Sequence, residues 1–75
     1  MIGSFIKTPI TKYWPSGRYK AQLNALYENG VMTIGDALKR TEAEILRIPV
    51  CGRGTLYILR QVLADGMREY LEEVS

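Results

Sequence analysis

Toward the C-terminal end, apolar residues recur at 56, 59, 62–63, 67, 70 and 74. That three-and-four spacing places them on one face of a long amphipathic helix. Gly66 interrupts the run at a cost of about 1 kcal/mol relative to alanine, so a kink there competes with a continuous helix. A shorter stripe, Tyr19, Leu23, Leu26 and Tyr27, predicts a first helix that begins after Ser16 as its cap and runs to about Glu28. Asn29-Gly30 closes it. Thr33 is the expected cap of a second short helix, roughly 34–40, with Asp36 in its first turn and Ile34 and Leu38 facing inward. Thr41 and Glu44 have the spacing of a capping box and open a third. Pro49 lacks a backbone N–H and disfavours helical geometry at Ile48, which stops that helix near Arg47.

The expected architecture is all-α. It is a compact bundle of four to five short helices in a single domain, residues 1–75, with an irregular extended arm at 1–15 and a helical part at 16–75. In the arm, Pro9 and Pro15 rule out one long helix, while Phe5, Ile6, Ile10, Tyr13 and Trp14 are too apolar for a solvated tail. These side chains either cover a small core or, with Tyr13 and Trp14 beside Lys12, form a patch that stacks on bases or a partner.

Between the last two helical patterns lies Ile48-Pro49-Val50-Cys51-Gly52-Arg53-Gly54-Thr55. Gly52 and Gly54 tolerate backbone angles that other residues resist, and Thr55 is placed to cap or open the final helix. The first amides of that helix have no intrahelical partner and carry the positive end of its dipole. Bare glycines let a phosphate come close, and Arg53 adds a formal charge. The same glycines equally suit a simple corner between packed helices. Cys51 is read as a small core thiol.

Asn24, Ile34-Gly35-Asp36, Arg40-Thr41-Glu42, Glu44, Ile45-Leu46, Pro49, Gly52, Thr55-Leu56 and Val62-Leu63-Ala64 together resemble the C-terminal domain of the bacterial RNA polymerase alpha subunit. The spacing holds without gaps from Asn24 to Ala64. The resemblance implies a helix-hairpin-helix element that contacts the DNA minor groove and backbone, and partner regulators. It places Asn24, Gly52 and Thr55 at DNA-contacting positions and Arg53 at a basic one. Several side chains depart from the family. Ala21 stands where the main minor-groove arginine is expected, and Arg18 lies one turn earlier. Gly54 replaces a lysine, Ile58 an acidic contact residue, and Val50 a glycine or asparagine common in such hairpins.

Net charge is only +2, but its distribution is uneven. Lys7, Lys12, Arg18 and Lys20 precede the first acidic residue, Glu28, whereas Asp65, Glu69, Glu72 and Glu73 face only Arg68 after residue 64. This polarity fits one face that meets an anion, and it fits ordinary solvation equally well. With one cysteine and no histidine, an internal disulfide is excluded, the usual zinc spacings are absent and no catalytic base is evident. No cofactor and no enzymatic activity are expected. Met1-Ile2-Gly3 begins no signal peptide and no apolar run reaches membrane-spanning length, so no membrane partner and a cytoplasmic home are expected. The expected DNA-binding residues are Arg18, Lys20, Asn24, Gly52, Arg53, Gly54 and Thr55. The competing reading keeps the fold but contacts RNA polymerase or a transcription regulator instead of DNA.

Overall fold

The final amphipathic stripe forms an unbroken helix, α5 (Arg53–Val74), in the computed structural model, which describes residues 2–74. At 1.5 Å per residue its 22 residues span about 33 Å. That is most of the molecule's longest dimension, 38 Å. Before it come α1 (Ile2–Lys7), a 3₁₀ turn (Ile10–Lys12), α2 (Lys20–Glu28), α3 (Ile34–Leu38) and α4 (Glu42–Leu46). Among the described residues there is no strand, only an isolated antiparallel bridge between Pro9 and Thr33. The class is all-α, as the periodicity predicts.

Gly66 does not kink α5. It is buried, and a Cβ there would meet Ile34 Cδ1 at 2.5 Å, with Phe5 and Tyr13 ring atoms at 3.4 and 3.5 Å. The missing side chain is the seat into which the N-terminal segment and α3 pack. The apolar stripe is only partly inward beyond this point. Tyr70 stacks on Phe5 with centroids 5.2 Å apart, while Met67, Leu71 and Val74 face solvent.

Residues 2–15 are not an extended arm, and Met1 lies outside the described residues. Pro9 does end a helix, but six residues before it form α1, followed by a 3₁₀ turn. A helix this short is unstable alone and depends on packing. Here α1 packs against α3 and α5, with the Ile6 carbonyl against Gly35. Ile10 N–H donates to the Met32 carbonyl and Ile34 N–H to the Thr8 carbonyl, at 3.0 and 2.9 Å. Phe5, Ile10 and Trp14 join one core with Leu26, Val31, Ile34, Ile45, Leu59 and Val62. Lys12 Nζ and the Tyr13 hydroxyl both donate to the Glu69 carboxylate, at 2.7 and 2.8 Å, tying the segment to α5.

The helix ends follow local chemistry. At the end of α2, Gly30 has φ +82°. Val31 N–H reaches the Leu26 carbonyl and Gly30 N–H the Tyr27 carbonyl, the paired bonds of a Schellman motif. Thr33–Asp36 and Thr41–Glu44 each form a full capping box, with side chain and backbone bonded in both directions. The backbone N–H groups of Met32 and Thr33 hold the Asp36 carboxyl below its ordinary range.

Three expectations need correction. Lys20, not a residue just after Ser16, opens α2, because Gly17 (φ +70°) and Tyr19 (φ +56°) are both left-handed and helical geometry cannot run through them. Leu38 does not point inward. It is 56% exposed, and Ala37, three residues after Ile34, takes the core position instead. In the turn between α4 and α5, neither Gly52 nor Gly54 has a positive φ. The left-handed residue there is Val50, at φ +62°.

Candidate nucleic-acid interface

Gly52 precedes α5, and its carbonyl accepts the first intrahelical bond, from Leu56 N–H at 3.1 Å. Arg53, Gly54 and Thr55 are therefore the first three helical residues, whose amides lie beyond the reach of the helix's own carbonyls. Among the described residues, the N–H groups of 52–55 donate to no backbone carbonyl outside the helix either. At both Gly52 and Gly54 an added Cβ would meet nothing within 4 Å. Open space therefore lies before both glycines, and neither takes a left-handed backbone conformation.

Thr55 is not an accessible hydroxyl. It is 3% exposed, and its side chain lies beside the buried Cys51 thiol. Burial raises the Cys51 pKa, with the Thr55 side chain opposing it, so Cys51 behaves as a core group and not as a nucleophile. Cys51 Sγ lies 3.9 Å from the Gln22 carbonyl and thereby ties the turn to α2. What Thr55 has to offer an anion is its amide.

The other expected residues divide between two sides of the α5 start. Arg18 and Gly54 line one groove of about 400 Å³, together with Tyr13, Tyr19, Tyr57 and Gln61. The Arg18 guanidinium lies 5.8 Å from the centre of the Tyr19 ring, and the Arg18 carbonyl accepts from Trp14 Nε1 at 3.2 Å. The buried indole is therefore a core group that fixes the position of Arg18, not a stacking surface. Arg53 is exposed on the other side, in a hollow shared with Tyr57 and Arg60, where Arg60 pairs with Glu42. Lys20 lines a second groove with Lys12 and Arg18. Asn24 is exposed on α2.

Sequence reasoning missed Tyr19, Tyr57 and Gln61 as groove residues. A signal was present. Tyr57 is a large aromatic residue that falls off the apolar stripe of α5, and it is 65% exposed.

No protein-family model matches the chain, and no solved structure matches it. Over 41 residues it is 44% identical to the DNA-directed RNA polymerase subunit alpha of Rickettsia rickettsii, in both the Sheila Smith and Iowa strains. The match covers 55% of this chain and spans 12% of the length of those relatives. The chain is thus weakly similar to a part of a transcription subunit, consistent with a domain like the alpha C-terminal one.

Proposed function

We propose that this chain is a small transcription-related DNA-binding module of the cytoplasm, folded as one unit. In this reading α4, the following turn and α5 act as a helix-hairpin-helix element. The amides of 52–55, the Arg53 side chain and the basic residues Arg18 and Lys20 meet the DNA backbone, and Asn24 reaches toward the minor groove. The observation that carries the proposal is the set of amides at 52–55 with no carbonyl partner, fronted by two glycines with open space before them. The similarity to the polymerase alpha subunit supports it.

Ala21 supplies no arginine, so about 1–3 kcal/mol of discrimination is lost if that position reads a base edge. Binding is expected near the non-specific range of about 10⁻⁴–10⁻⁶ M at physiological salt. One observation favours a second reading, an interaction module for RNA polymerase or a regulator: Met67, Leu71 and Val74 stand exposed along α5.

A titration of labelled protein with a short AT-rich duplex at low and moderate salt separates the two. DNA binding moves the amide signals of Gly52 to Thr55 and those around Asn24, and the shifts fall steeply as salt rises. Shifts absent at low salt, or confined to the end of α5, overturn it and leave the interaction reading. Arg53→Ala should weaken binding evenly across sequences and reduce the salt slope by about 1. An unchanged slope removes Arg53 from the interface.

A further inference from the structure

We infer that the groove between residues 13–19 and the first turns of α5 receives a single unstacked nucleobase, so that this module binds single-stranded nucleic acid at least as well as duplex. The inference rests on the nucleic-acid reading above and specifies its ligand.

The groove's volume, about 400 Å³, lies within the range of small-ligand sites. Its lining is graded along its length. Arg18 and Gly54 both line it, and at Gly54, the end of the groove at the start of α5, no Cβ narrows the entrance and the first amides have no backbone carbonyl partner. That end suits a phosphate. Tyr13, Tyr19 and Tyr57 line the groove over the buried, apolar Ile58. Tyrosine faces are a sequence-tolerant platform for bases, because every base has a π-face.

At the far end are Gln61 and Asp65. Gln61 can donate and accept, which suits the polar edge of a base, whereas Asp65 is already paired with Arg68. Gly54, Ile58, Gln61 and Asp65 follow one another at four, three and four residues, one continuous face of α5. A paired base inside a duplex is stacked on its neighbours and cannot enter such a groove; an unpaired one can.

Tyr19 adds a separate observation. It holds φ +56° and ψ +38°, a conformation unfavourable for a residue with a side chain, yet the residue is 43% exposed, with its ring beside Arg18.

The test uses the full chain with two probes, a short oligothymidine strand and an AT-rich duplex of equal length. Ring resonances of Tyr19 and Tyr57 should move with the single strand. Tyr57→Ala should weaken single-strand binding about tenfold, with less effect on duplex, and Tyr57→Phe should retain it. Tyr19→Gly, which keeps the left-handed backbone while removing the ring, should reproduce the loss. If Tyr57→Ala and Tyr19→Gly leave both affinities unchanged while Arg53→Ala weakens duplex binding, the inference falls and the DNA reading stands. If neither probe binds at low salt, both fall. Ring signals unmoved by nucleic acid but moved by added RNA polymerase overturn the inference and assign the groove to a protein side chain.

Discussion

Val50 offers a sharp test of how the α4–α5 turn is built. It is a β-branched residue at φ +62°, where Cβ crowds the following carbonyl, and such a conformation costs an ordinary L-residue about 1–2 kcal/mol. Asparagine visits this region several times more readily than other non-glycine residues. Val50→Asn should therefore recover most of that cost. The opposing term is lost apolar burial. Full burial of a valine contributes about 1.5–3 kcal/mol, but Val50 is 62% exposed, so truncation forfeits less than about 1 kcal/mol. The net gain is about 0.5–1 kcal/mol, or a rise of about 2–8 °C in Tm for a domain of this size. Val50→Gly should gain less, because glycine also frees the unfolded chain. Val50→Ala, which keeps the left-handed strain and loses the same contacts, should not gain at all. Thermal melts followed by circular dichroism resolve this ranking. If alanine matches or exceeds asparagine, the left-handed backbone at residue 50 is not what limits the turn, and the reasoning is wrong.

Two glycines should resist substitution for different reasons. An alanine Cβ at Gly35 would sit 2.9 Å from the Ile6 carbonyl oxygen, and at Gly66 2.5 Å from Ile34 Cδ1. Backbone cannot turn aside as a side-chain tip can, so Gly35→Ala should cost about 2–3 kcal/mol and Gly66→Ala about 1–2, against the usual gain of alanine in a helix. A Gly66→Ala protein that melts higher than wild type would refute the proposed seat. Acid stability supplies a third check. Asp36 is held below its ordinary pKa by the N–H groups of Met32 and Thr33, so its contribution is fully present above the unfolded value of about 3.9. That contribution is lost as pH falls through the lower, folded value. Asp36→Asn should start less stable at pH 7 and lose less between pH 5 and 2. Parallel acid limbs for the two proteins would contradict the assignment.

How much of this was legible in the sequence depended on the range of the interaction. Thr33 with Asp36, Thr41 with Glu44, and Asn29-Gly30 act on their own neighbours, so residue type and spacing sufficed. Gly66 read only as a cost in a helix, because the groups that make it useful, Phe5, Tyr13 and Ile34, lie far away in sequence. For the same reason α1 was invisible: six residues ending at Lys7 carry no helical signal strong enough to outweigh Pro9, and their order comes from α3 and α5. At the site, the unpartnered amides after Gly52 were legible as a helix start, although that start is Arg53 rather than Thr55. The burial of Thr55 and the left-handed Val50 were not, since both are set by how the turn packs on Cys51 and α2.

The segment outside the family resemblance is also the one that shapes the groove. Residues 13–19 supply Tyr13, Arg18 and Tyr19, and they stay against α5 because each end of the segment is fastened. Glu69 holds Lys12 and Tyr13, and the Trp14 indole holds the Arg18 carbonyl. Glu69 is kept ionised to lower pH by those two donors, Lys12 foremost. Two of the positions that differ from what the resemblance implies, Gly54 and Ile58, line the same groove. Gly54, where the resemblance implies a lysine, leaves the entrance open, and Ile58, where it implies an acidic residue, is a buried apolar part of the lining. A long cation at 54 would occupy the entrance, and a carboxylate at 58 would have to be buried among tyrosines, at a cost of several kcal/mol unless paired. Gly54 and Ile58 thus leave the groove with neither a long cation nor a carboxylate at these two positions, and residues 13–19 bring Arg18 into the same lining.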